Sequence, residues 1–180
     1  MPRGVARIGD NAFYCCFSLK EIDLPDGLTE IGSQAFSSCY ALTSIRLPET
    51  ITETGAGVFF DCPLTEIALS AGLTRISSGS FIWCPLKKVS IPEGITTIGK
   101  QAFFECFDLQ EISLPESLTV IEEHAFSGCS SLTELFLSDG LNTIGNEAFS
   151  GCQDLTVTVS RGSFAEAYCR DHGIKYIVRK

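Results

Sequence analysis

Apolar residues follow two alternating rhythms along this chain. In "LTSIRLP" (residues 42–48), Ile45 and Leu47 alternate with Ser44 and Arg46. That period of two predicts a short strand with one buried face. In "AFSSCYAL" (residues 35–42), Ala35, Phe36, Cys39 and Leu42 recur every one, three and three positions. That spacing predicts a tight helical or 3₁₀ turn. Between them, a proline followed by an acid and a small residue ("PDG", "PET", "PEG", "PES") stops the strand and reverses the chain. A short second extended piece such as "LTEI" then leads to a glycine or small residue.

The whole unit repeats. Aligning on the phenylalanine of the turn gives seven registers, at Phe13, Phe36, Phe59, Phe81, Phe103, Phe126 and Phe149, in steps of 22 or 23 residues. A cysteine stands three places after each: Cys16, Cys39, Cys62, Cys84, Cys106, Cys129 and Cys152. Five places before each stands isoleucine, except at Thr54. In the third and fourth units the link from cysteine to leucine shortens to "CPL", at Pro63 and Pro85. Self-similarity at this period means a solenoid. One coil cannot bury its own apolar side, so stacked coils make the core together. The predicted fold is an α/β-type repeat solenoid. It has about seven coils, a parallel sheet along the concave face with strands ~4.8 Å apart, and helical or 3₁₀ turns on the convex flank.

The isoleucine, "AF", cysteine, leucine and "I-x-L-P" positions together resemble the BspA-like leucine-rich repeat family over about residues 2–160. The resemblance implies a right-handed curved solenoid. It also implies a place in surface or secreted proteins of anaerobic bacteria and some protists, with adhesion and protein binding as the associated roles. Cytoplasmic location is the alternative. Residues 161–180 resemble the family's C-terminal cap. In "GSFAEAYCRDHG", Ser163 and Glu166 form a capping box ahead of a helix, and Gly173 ends it. The expected division is therefore a solenoid at 1–160 and a cap at 161–180. At the other end, Met1 aligns with the last strand position, Leu24, so the first coil is expected to lack its strand. An uncapped first coil is expected to fray or to meet another molecule.

Composition narrows the partners. The formal net charge is -9 and the pI near 4.7. That excludes nucleic acid and anionic membrane as main partners, since both need a basic surface. No apolar run reaches the ~20 residues of a membrane span. The opening "MPRGVARIGD" contains no apolar signal-peptide core.

Nine cysteines invite a chemical reading. The seven in register share inward positions with phenylalanine and leucine, which suits a small apolar thiol. The alternatives are a disulfide, for which in-register side chains have poor geometry, or a metal, for which no C-x-x-C pair is present. The off-pattern Cys15 and Cys169 are the thiols expected to meet solvent. His124 and His172 have no nucleophile at a catalytic spacing, and no phosphate-binding loop appears. The expectation is a non-enzymatic chain without cofactor. Turn acids at Asp26, Glu49, Glu93, Glu116 and Asp139 form a column that reads either as a solvated face or as a Ca²⁺-attracting one.

Two surfaces remain as candidate sites. The concave face carries Arg46, Glu66, Lys88, Glu111, Glu134 and Phe136, charges of mixed sign with one large ring, which packing on the cap would also explain. On the convex flank, three places per coil point away from the core: one and two after the phenylalanine, and one after the cysteine. Coils six and seven fill them with serine, glycine and glutamine. The first five carry Tyr14, Phe17, Tyr40, Phe60, Ile82, Trp83, Phe104 and Phe107. Helical spacing puts Tyr14, Phe60, Ile82 and Phe104 most nearly opposite the core. This stripe is either an interface, self-association included, or rings packed on one another. Two functions follow: a recognition module that binds another protein, or a spacer that holds another domain away from a surface.

Overall fold

The computed structural model describes residues 2 and 4–179; Met1, which the repeat aligns with a strand position, Arg3 and Lys180 lie outside it. The chain winds as a β-solenoid of parallel strands. The "I-x-L" strands are Ser44–Arg46, Glu66–Ala68, Lys88–Ser90, Glu111–Ser113, Glu134–Phe136 and Thr156–Val159. They pair parallel and in register in three separate ladders, the first with Ile45 opposite Ile67, the second with Val89 opposite Ile112 and the third with Leu135 opposite Val157, where one continuous sheet was expected. In each three-residue strand from Lys88 on, the middle residue is buried, and its neighbours are exposed except at Phe136, as the period of two demands. The stack has about eight turns. That exceeds the seven phenylalanine registers because the C-terminal segment closes a turn of its own.

The second extended pieces form their own ladders. Arg7–Ile8, Glu30–Ile31 and Glu53–Thr54 make one, and Arg75–Ile76 through Thr143–Ile144 make another. The break between them falls at Thr54, where the repeat has lost its isoleucine. There Ser77 Oγ donates to the Thr54 carbonyl at 2.5 Å and lies 3.2 Å from its hydroxyl. A void of about 10 Å³, lined in part by Thr54, Val58, Phe59 and Ile76, sits at the same step.

The expected helical turns on the convex flank are not helical. Among the described residues the single α-helix is Phe164–Asp171; the "AF" segments are runs of turns. Their residues alternate in hydrogen bonding. The N–H groups of Gln101, Phe103 and Glu105 donate to carbonyls of the next coil at 2.8–3.0 Å. Those of Ala102, Phe104 and Cys106 instead bond three residues back within their own coil. The alternation needs left-handed backbone two residues before and two after each phenylalanine. Gln101 and Glu105 have φ of 56° and 54°, Gly57 and Gly151 of 63° and 80°. The flank therefore satisfies its backbone from coil to coil, as a sheet does, and helical geometry would forfeit those bonds.

Phenylalanine rings run through the core as a stack. Successive centroids from Phe13 to Phe149 lie 5.1–5.8 Å apart with planes within 19° of parallel. Offset aromatic pairs of this kind add ~0.5–1.5 kcal/mol each beyond area burial. Tyr168 meets Phe149 edge-on at 6.5 Å and closes the stack. The cap helix buries Ala165 and Cys169 toward the solenoid. Ser163 Oγ accepts from Glu166 N at 3.1 Å, while the Glu166 carboxylate accepts from Gly162 N, one residue earlier than a capping box requires. Strand Lys175–Val178 then pairs parallel with Thr156–Val159.

Candidate functional site

The cysteine column settles into packing with a specific hydrogen bond. All nine cysteines are free. From Cys39 to Cys152, each register thiol donates to the carbonyl of the phenylalanine in the preceding coil, at 2.8–3.2 Å. The carbonyls of Phe13, Phe59, Phe81, Phe103 and Phe126 already accept the N–H of their own coil's cysteine, as Phe81 O does from Cys84 N at 3.1 Å. A thiol thus fills the second lone pair of a buried carbonyl while occupying apolar space. Burial pushes the Cys84 thiol up to about 12, and lifts Cys106 well above its ordinary range. Neither is a nucleophile at neutral pH. Cys16, in the first coil, is only half-buried. Cys169 corrects the reading above: it is fully buried, because the cap helix turns that side onto the solenoid, and burial raises its thiol to about 11. Cys15 is half-buried at a left-handed position.

The turn acids also have a structural use. Glu49 accepts from Ala71 N at 2.9 Å, and Glu93 from Glu116 N and Ser117 N at 3.2 and 3.4 Å. Each caps the turn of the next coil. Among the described residues no group of three or more His, Cys, Asp or Glu is arranged to hold a metal ion.

On the strand face, Arg46, Glu66, Lys88, Glu111 and Glu134 are exposed. They line two open grooves of about 520 and 790 Å³. Lys88 and Glu111 pair across adjacent strands at 2.5 Å, with both side chains largely in solvent. Such a pair contributes at most ~1 kcal/mol. Phe136 lies under the Arg179 guanidinium, 5.0 Å from the ring centroid, so the residue that follows the cap's last strand engages it.

The turn flank differs in character. Tyr14, Phe17, Tyr40, Trp83 and Phe107 are each about half exposed, between 48% and 56%. Phe60, Ile82 and Phe104, expected to face outward with Tyr14, are mostly covered. The non-helical turn explains the correction. At the second place after the phenylalanine φ is near +60°; Trp83 there and Phe17, Tyr40 and Phe107 after the cysteine lie exposed, while at the first place Phe60, Ile82 and Phe104 are partly covered and Tyr14, in the first coil, stays exposed. Phe17 stacks on Tyr40 at 5.3 Å, and Phe60 lies tilted against Trp83 at 5.2 Å. Two carboxylates that the sequence did not single out belong to this row. Tyr40 Oη donates to Asp61 at 3.0 Å, and Trp83 Nε1 donates to Glu105 at 2.7 Å. Each acid stands one coil above its ring donor, at the place two after the phenylalanine, a signal the repeat alignment carried. His124, edge-on to Phe104 at 6.4 Å, lies 3.5 Å from Glu123 and marks the end of the aromatic row.

This alternation of strand, turn and phenylalanine–cysteine turn has a family. The family model described as "BspA type Leucine rich repeat region (6 copies)" matches residues 1–85 and 74–167. The chain belongs to the BspA-type leucine-rich repeat family. Among solved structures it is similar to a leucine rich cell surface protein of Faecalibacterium prausnitzii, at 31% identity and a TM-score of 0.71, over 88% of this chain and 45% of that one. A leucine-rich repeat protein of Eubacterium ventriosum is 27% identical with a TM-score of 0.68, over 73% of this chain and 36% of that one. The pneumococcal vaccine antigen PcpA is 26% identical with a TM-score of 0.56, over 88% of this chain and 49% of that one. The chain thus spans less than half the length of each. No curated protein matches it. Repeats of this family are typically non-enzymatic.

Proposed function

We propose that this BspA-type solenoid is a protein-recognition module of a cell-surface or secreted, adhesin-like protein, and that it docks its partner on the turn flank of coils one to five. The observation that carries the reading is the row of half-exposed rings from Tyr14 to Phe107. Coils six and seven build the same turns with Ser127, Gly128, Ser150 and Gly151, so the fold has no need of the rings. Tryptophan and tyrosine are enriched at binding hot spots, and apolar surface gathered in one patch usually has a use. The F. prausnitzii structure, a cell surface protein by its description, supports the location.

The test is selection of binders from a random-peptide library on the folded chain. Selected peptides are re-measured against Tyr40→Ser/Trp83→Ser and against a strand-face variant, Glu66→Ser/Glu111→Ser. Most should lose binding to the first variant and keep it to the second. Peptides that depend on the strand face, or a chain that enriches none and so acts as a spacer, contradict the proposal.

A further inference from the structure

The flank has a chemistry of its own. The three places per coil that make up this flank contain no lysine or arginine in any of the seven coils, in a chain that has 13. Their charges are the carboxylates of Asp61 and Glu105, which alternate with rings along the stack: Tyr40 in coil two, Asp61 in coil three, Trp83 in coil four, Glu105 in coil five. Each carboxylate is held beside a ring by a hydrogen bond that uses one oxygen, Oδ2 of Asp61 and Oε2 of Glu105. The remaining oxygens can accept from outside. Electron-rich ring faces beside oriented carboxylates favour one kind of group, a cation with donors to spare. The net charge of -9 draws cations toward the molecule from a distance.

We infer that the flank recognises an extended protein segment bearing arginine side chains, with guanidinium groups seated between the Tyr40 and Trp83 rings and the Asp61 and Glu105 carboxylates. Arginine suits the site better than lysine because its plane stacks on a ring while its edge donates in pairs to a carboxylate. Five coils at ~4.8 Å span roughly 19 Å, the length of about six extended residues. One face of such a segment then offers about three side chains to the row. The inference rests on the docking flank proposed above and adds what it docks.

Trp83 is the only tryptophan, so its emission reports the site directly. The probe is a flexible glycine-serine peptide of about twelve residues with arginine at alternate positions. Its comparison replaces every arginine by citrulline, the same shape without charge. At about 0.15 M salt, the arginine peptide should change Trp83 emission saturably, and the citrulline peptide should bind about tenfold or more weaker. By calorimetry, Asp61→Asn/Glu105→Gln should weaken the arginine peptide about tenfold, whereas Glu21→Gln/Glu66→Gln, which removes the same charge from the strand face, should stay within about twofold. Equal losses in the two variants would mean bulk charge attraction and overturn the inference. So would equal binding of the citrulline peptide, or saturable Trp83 changes with a neutral oligosaccharide and none with the arginine peptide. If library peptides need the flank but carry no cationic residues, the docking flank stands and the cation assignment falls.

Discussion

Cys106→Ala isolates what the register cysteine contributes. Cys106 is fully buried, and its Sγ donates to Phe81 O at 3.0 Å. Losing the sulfur forfeits roughly one methylene equivalent of burial, ~0.8 kcal/mol. A residual cavity of about 30 Å³ adds ~0.7 kcal/mol at ~24 cal/mol per Å³. The weak S–H bond adds about 0.5 kcal/mol. Phe81 O keeps the Cys84 N–H, so no orphaned carbonyl enlarges the loss. The sum is about 2 kcal/mol, which at a urea slope of ~2 kcal/mol/M shifts the midpoint by about 1 M. Cys106→Ser separates packing from hydrogen bonding. A hydroxyl at that place can still donate to Phe81 O, so serine should cost no more than alanine. If the site were purely apolar, an unpartnered hydroxyl would make serine worse than alanine by about 1–3 kcal/mol. Urea melts under reducing conditions, with unchanged slope as the check on two-state behaviour, decide it. Serine clearly worse than alanine, or alanine neutral, would refute the thiol–carbonyl account.

Three further expectations follow from the same packing. Thr54→Ile restores the repeat's own residue beside the void at Val58 and Phe59, and should raise stability by about 0.5–1 kcal/mol in the same melts; a loss would show that the Thr54–Ser77 contact matters more. Stability should fall between about pH 9 and 12, because in that window the unfolded chain ionises its thiols while folded Cys84, raised to about 12, and Cys106 stay protonated. Fewer protons on the unfolded state make the slope negative, about 1.4 kcal/mol per pH unit for each such thiol, and a flat alkaline profile would contradict the burial. A thiol reagent on the native protein should label only Cys15 and Cys16, the two that are half-buried, with all nine labelled after unfolding; rapid native labelling of Cys169 would contradict the docked cap helix.

Much of this was legible in the repeat. The spacing of Phe36, Cys39, Leu42, Ile45 and Leu47 gave the inward set, and all five are buried. The parallel strands followed because identical coils stack in register. The turn was misread because its three-residue spacing is shared by a helix and by a chain that alternates right- and left-handed residues. Only backbone angles separate the two, and Gln101 or Glu105 at positive φ has no mark in sequence that glycine would leave. That error moved Phe60 and Phe104 outward on paper and left Trp83 less prominent than it is. Asp61 and Glu105 were passed over because their partners lie one coil away and about 22 residues back. Cys169 looked exposed because a lone cysteine on a polar helix says nothing of which side docks.

Chemical-shift mapping tests the central claim most directly. The isotope-labelled chain is titrated with the tightest library peptide, and perturbed amides are placed on the solenoid. The account predicts a band along the turns of coils one to five, through Tyr14, Tyr40, Trp83 and Phe107, with the strand-face amides of Glu66, Glu111 and Glu134 unmoved. A band on those strands, with the Trp83 indole resonance unchanged at saturation, would contradict it.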